Sequence, residues 1–127
     1  GRFATILKET GEFIGWTGIK FVDDHTENGN TNFYDYGYRL TPKFWGKGYA
    51  TEGALKCLEV GFTEFNLDEI VSIAVKSNYK SHNVMDKIGM QRDLSGDFLH
   101  PNFAAEHILA PHILYRMTKS LWFSLNR

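Results

Sequence analysis

The chain has 127 residues and a mass of 14.6 kDa, with 43% hydrophobic and 15% aromatic residues; this suffices for one domain with an aromatic-rich core and leaves too little for a second. Its 14 Lys and Arg against 15 Asp and Glu give a formal net charge of −1, so the chain lacks the basic excess of nonspecific nucleic-acid or membrane-surface binding and any anion site must be local. A single cysteine, Cys57, excludes an internal disulfide and a cysteine-rich zinc site.

No apolar run approaches membrane-spanning length, and the start GRFATILKE has neither the apolar core nor the cleavage pattern of a secretory signal. The chain therefore reads as intracellular and cytoplasmic. It opens without methionine and enters a strand pattern at once, as a fragment or trimmed chain would.

Phe3 to Lys8 and Glu12 to Val22, rich in β-branched and aromatic residues around the turn Glu9-Thr10-Gly11, predict an antiparallel hairpin. Gly15 and Gly18 weaken the second strand unless they mark a bulge or the close approach of another backbone. Asp23 to Thr31 is polar and turn-forming, an exposed loop; His25 has no second ligand group at useful spacing, which disfavours a metal there. Asn32 to Leu40 predicts a third strand with Gly37 as a bulge, and Pro42 ends it because it cannot donate an N–H.

The stretch Tyr38 to Phe65 passes through Gly46 and Gly48 directly into a helix that begins near Tyr49. Two glycines before a helix N-terminus permit positive φ and bring unsatisfied N–H groups toward a ligand, the makings of an anion cradle; an ordinary strand-to-helix connection is the alternative. Ala50, Ala54, Leu58, Phe62 and Phe65 recur near the helical period and form the predicted core face, with Cys57 packed among them and Glu52 and Lys56 paired outside. Ile70 to Val75 predicts a covered central strand, which makes the preceding helix a crossover. Asn78 to Ile88 follows as a second helix, with Asn78 or Ser81 as cap and Gly89 as its stop. Met90 to Phe98 and Pro111 to Lys119 are the last predicted strands. The fold class is mixed α/β with a β-α-β core.

Lys43-Phe44-Trp45-Gly46-Lys47-Gly48 is neither a Walker A loop nor a dinucleotide fingerprint. It resembles the pyrophosphate loop of the GNAT superfamily of acyl-CoA N-acyltransferases, Gln/Arg-x-x-Gly-x-Gly/Ala, with Lys43 at the Gln/Arg position. Asp35-Tyr36-Gly37-Tyr38-Arg39-Leu40-Thr41-Pro42, Trp45 to Glu52, and Asn78-x-x-Ser81-x-x-Val84-x-x-Lys87-x-Gly89-Met90 fall in the order and spacing of the branch similar to ribosomal-protein N-terminal acetyltransferases. Phe98-x-His100-Pro101 and His112-Ile113-Leu114-Tyr115 resemble that branch's tail.

The resemblance implies a mostly antiparallel sheet with helices on both faces, and a family strand and helices ahead of the hairpin that are absent here. It also implies a cleft where the strand ending at Leu40 splays from Ile70 to Val75. Acetyl-CoA would be the cosubstrate, without a metal, and the acceptor a primary amine, either a protein N-terminus or a small amine. Amides near Arg39 and Leu40 would polarise the thioester carbonyl beside Tyr38, with Lys43 and the amides of Phe44, Trp45, Gly46, Lys47, Gly48, Tyr49 and Ala50 at the pyrophosphate.

Asn78 and Ser81 match positions at the pantetheine arm and the sulfur, Ser81 protonating or hydrogen-bonding the leaving thiolate; both also suit helix caps. Asp35 matches an acidic position that serves as general base in some members, against an ion-paired or solvated carboxylate; a base would need burial to raise its pKa. His100 and His112 can relay protons near neutral pH or serve the turn and the strand. Tyr115 is expected in the core, and packing is the expected role of Trp16, Trp45 and Trp122. The alternative function is a noncatalytic acyl-CoA-binding or regulatory module. The edge exposed at Arg2 is open to pairing with a second copy.

Overall fold

The structure, a computed structural model, describes residues 2–23, 32–100 and 102–126. The predicted loop after Asp23, with His25, and Pro101 lie outside them. Six strands and three helices follow in the order β1 (Arg2–Ile6), β2 (Phe13–Asp23), β3 (Asn32–Leu40), a short 3-10 turn (Pro42–Phe44), α1 (Tyr49–Thr63), β4 (Glu69–Val75), α2 (Tyr79–Lys87), β5 (Gln91–Leu99), β6 (Pro111–Thr118) and α3 (Lys119–Leu125). They form one sheet in the order β1-β2-β3-β4-β6-β5. Every neighbouring pair is antiparallel except β3 and β4, the pair joined through α1.

Alternation assigns the two faces. Ile19, Tyr36 and Tyr38 turn toward the helices and pack with Ala54, Leu58 and Phe62 of α1. Ile70 and Ala74 of β4 and Ile113, Tyr115 and Met117 of β6 continue the same cluster, which Met85 of α2 and Trp122 of α3 complete. Helices cover this one face only among the described residues, where both faces had been expected. On the other face β5 itself bends over the sheet: its register with β6 shifts between Asp93 and Phe98, and Gly96 comes so close that a Cβ there would lie 2.3 Å from the Leu114 side chain. Leu114 is fully buried as a result.

Three local expectations change, and one element is added. Gly37 is not a bulge, since it pairs with Gly18 in an unbroken β2–β3 register. Phe65 is 62% exposed because α1 ends at Thr63, which takes the residue off the helical face. Lys56 pairs with Glu59 at 3.6 Å, one turn toward the C-terminus, rather than with Glu52. The tail after Lys119 is a helix: Thr118 accepts a hydrogen bond from Leu121 N, and the Trp122 ring packs 5.7 Å from Phe62.

Candidate active site

The chain between β3 and α1 is pinned at one point and open at the next. Phe44 is buried with Ile14 and Leu40, and Tyr49 and Ala50 pack against that small cluster, which fixes the loop to the sheet. Beyond Phe44 the backbone enters the left-handed region twice, at Gly46 (φ 75°) and Gly48 (φ 84°). Gly48 is the N-cap of α1 and offers no side-chain cap. Among the described residues the amides of 46–51 donate to no backbone or side-chain acceptor, and a Cβ at either glycine would meet open space. Uncapped amides, the positive end of a helix dipole and an open approach make an anion-receptive site.

Trp45, expected to pack, is instead 48% exposed and fixed at its edge, its Nε1 donating to Leu40 O at 2.8 Å. Its ring faces across to α2, where the Lys80 ammonium lies 4.2 Å from the centroid.

Beside this loop the parallel pair comes apart. β3 and β4 share one register pair, Asp35 with Val71, next to which Ser72 Oγ donates to Tyr36 O at 3.1 Å; from there to Leu40 no ladder joins them. Thr41 N donates to Ile14 O at 2.8 Å, and Trp45 Nε1 takes the Leu40 carbonyl. By the alternation of an antiparallel ladder, the peptide groups of Tyr38 and Leu40 face the gap while those of Arg39 are committed to Trp16 on β2. Of the two amides expected at a carbonyl, the geometry leaves Leu40. Gly15 makes the strand end possible: with φ 153° and a would-be Cβ 2.0 Å from Arg39 O, no larger residue fits there.

α2 supplies the opposite wall. Asn78 is its N-cap, with Oδ1 accepting from Ser81 N at 3.3 Å, and Ser81 Oγ lies 3.3 Å from Tyr38 OH. The first turn of α2 is thus capped by Asn78 and also faces the groove. The groove has a volume of about 970 Å³ and brings together Tyr38, Arg39, Leu40, Phe44, Trp45, Gly46, Gly48, Tyr49, Ala50, Asn78 and Ser81. Lys43 and Lys47 do not line it; Lys43 turns outward to Glu12 at 3.3 Å. Thr51, Lys80, Asn83 and Lys87 line it and were not anticipated. The helical spacing of Lys80 and Lys87 was the available signal, because residues seven apart share a face.

Asp35 stands apart from Ser81. It points to the sheet face away from the helices, into a smaller recess of about 80 Å³ with Arg2, Trp16 and Lys20. Among the described residues it has no ion-pair partner, and it is only partly exposed: its carboxylate takes the Ile73 N–H at the point where the strands part, while Oδ1 is buried without a partner. Burial pushes its pKa up to about 7, against the lowering influence of Lys20, the Ile73 N–H and Arg2. A carboxyl that titrates there can exchange a proton at neutral pH.

His112 Nδ1 lies 3.0 Å from Ala110 O, and its ring stands 5.3 Å from Phe98 and 5.0 Å from His100, whose other neighbour is the Phe103 ring at 5.6 Å. That arrangement is a packed aromatic column. Tyr115 is in the core as expected, with its hydroxyl donating to Asp86 Oδ1 at 3.0 Å. Cys57 is buried, and burial raises its thiol pKa, as suits a packing residue. Among the described residues no group of three His, Cys, Asp or Glu could hold a metal ion, and no helix is long and apolar enough to cross a membrane.

A mixed sheet with one parted parallel pair, an uncapped helix start and a groove between them define an α/β domain with an anion-receptive cleft. Residues 1–91 match the acetyltransferase (GNAT) domain, and the chain belongs to that family. It is 36% identical over 92 residues to the uncharacterized N-acetyltransferase p20 of Bacillus licheniformis, covering 72% of this chain and 49% of that protein. Over 82 residues it is 37% identical to the FsC-acetyl coenzyme A-N(2)-transacetylase of Aspergillus fumigatus, covering 63% of this chain and 35% of that protein. The chain thus spans about half the length, or less, of these curated relatives.

Among solved structures it is similar to a GNAT-family acetyltransferase from Bacillus anthracis, with a TM-score of 0.73, 29% identity and coverage of 94% of this chain and 66% of the other. Ribosomal-protein-S5-alanine acetyltransferase from Vibrio fischeri shares the fold at a TM-score of 0.75 and 20% identity, over 95% of this chain and 62% of that one.

Proposed function

We propose that the domain transfers an acetyl group from acetyl-CoA directly to a primary amine, either a protein N-terminus, as in the ribosomal-protein acetyltransferase branch, or a small amine. The observation that carries this is the continuity of the groove from the free amides of 46–51 to the β3–β4 gap, where the Leu40 amide and the Ser81–Tyr38 hydroxyl pair meet. Acetyl-CoA supplies an activated acyl carbon, so that the C–N bond forms as the C–S bond breaks and the sulfur leaves as thiolate.

The chain's own groups have four tasks. The amides of 46–51 hold the pyrophosphate, with Lys80 and Lys87 adding charge from α2. The Leu40 N–H stabilises the oxyanion that develops on the carbonyl. Asp35 takes one proton from the ammonium, directly or through water, which frees the amine lone pair for attack, and passes it to solvent; the second proton on nitrogen leaves to solvent as the tetrahedral intermediate collapses. Ser81, bonded to Tyr38, donates a proton to the thiolate and is reprotonated from solvent. No side chain forms a covalent intermediate, since Cys57 is buried away from the groove.

Calorimetric titration with acetyl-CoA, followed by thiol release against a panel of amines and N-terminal peptides, tests this. Binding and turnover are expected. Binding with no turnover on any acceptor would favour the noncatalytic module, and no binding would sink both. Ser81→Ala should lower kcat at least tenfold while leaving acetyl-CoA affinity within about twofold; an unchanged kcat removes Ser81 as proton donor.

A further inference from the structure

The gap between β3 and β4 has two faces: the groove opens on the helix side, where Asn78 and Ser81 stand, with Trp16 and Arg39 at its edge, and the face of Asp35 is left as the approach for an amine attacking an acyl carbon in the gap. There the strand register sets Lys20 opposite Asp35 and Arg2 opposite Gly18. The guanidinium of Arg2 is held 4.5 Å over the Trp16 ring, and Gly18 and Gly37 leave the recess between these side chains open. Neither Arg2 nor Lys20 has a carboxylate within ion-pair distance among the described residues. Two cations that have no carboxylate in ion-pair reach among the described residues therefore flank one carboxyl.

We infer that the acceptor carries an anionic group, such as a carboxylate, beside its amine, and that Arg2 and Lys20 select it against polycationic amines. The inference rests on the acetyl-transfer reading of this same site. Counting Arg2, Lys20 and Asp35, the recess is doubly positive when Asp35 is protonated and singly positive when it is ionised, and never negative. A diamine brings a second ammonium into that field, whereas an amino acid-like acceptor brings the opposite charge. The lining cations are exposed, so each contributes only about a fivefold preference at low salt, and salt screens it.

Three acceptors of one chain length isolate the charge: butylamine, 4-aminobutyrate and 1,4-diaminobutane. Their binding is followed by NMR at the Trp16 indole in the presence of coenzyme A, and their turnover by thiol release. 4-Aminobutyrate should bind about tenfold or more tightly than 1,4-diaminobutane at low salt, with butylamine between. Lys20→Gln and Arg2→Gln should each shrink that ratio severalfold, and Arg2→Lys should retain it. Diaminobutane binding as tightly as aminobutyrate, or a ratio indifferent to salt and to both glutamine variants, would overturn the inference. Failure of the transfer reading looks different: the binding order would hold with no turnover of any of the three.

Discussion

Asp35 ties the candidate chemistry to a stability measurement. Its carboxyl titrates at about 7 in the folded chain against 3.8 for the unperturbed group, chiefly because burial disfavours the anion. Between those values the native state keeps its proton while the unfolded chain has lost it, so stability falls as pH rises through the window and levels off above pH 7. Three pH units at about 1.4 kcal/mol each give a loss of about 4 kcal/mol relative to a chain whose residue 35 does not titrate. Asp35→Asn supplies that chain, since its amide oxygen can still accept the Ile73 N–H. Urea unfolding of both proteins at pH 4, 5.5, 7 and 8.5 should show the asparagine variant gaining on the parent steadily up to pH 7 and no further. In parallel, kcat/KM of the parent should rise through pH 7 as the base ionises, and the variant should lose that limb. A stability difference that is flat with pH, or that favours Asp35 at high pH, would refute the burial argument and with it the base.

Three further outcomes follow from the backbone and the core. Gly48→Ala places a residue at φ 84° and a Cβ in the open cradle; it should cost about 1 kcal/mol of stability and weaken acetyl-CoA binding at least tenfold by calorimetry, the larger effect being on binding. Gly15→Ala forces a Cβ to 2.0 Å from Arg39 O; chemical denaturation should show a loss of about 3 kcal/mol, with hydrogen exchange speeding first at the ends of β2 and β3. Trp122→Ala empties the site between α3 and Phe62 and should lower stability by about 3–5 kcal/mol by urea titration, far above the cost of trimming a dispensable tail.

Much of the frame was legible because local physics wrote it. β-branched and aromatic runs marked the strands, and the 3.6-residue recurrence of Ala54, Leu58 and Phe62 marked the buried face of α1. Gly46 and Gly48 stand at positive φ with open space around them, where only the backbone requirement matters. Asn78 was legible as a cap for the same reason: a cap bond spans three residues and needs nothing distant. Tail helix α3 was not legible, because seven residues carry too little periodicity and its reason to fold is Phe62, sixty residues away in sequence.

The sequence by itself determined which residues could do chemistry here, because a glycine-flanked helix start, a capped second helix and a strand carboxylate are each properties of a few consecutive residues. Tertiary structure alone decided how they divide. Packing carries Ser81 to Tyr38 on the helix side and leaves Asp35 on the other. It also takes Lys43 out of the groove to Glu12, brings Lys80 in against Trp45, and gathers Arg2 and Lys20 around Asp35. Which face a strand residue occupies is set by the register of its neighbours, and burial, the source of the raised Asp35 pKa, belongs to the assembled sheet and to no segment of it.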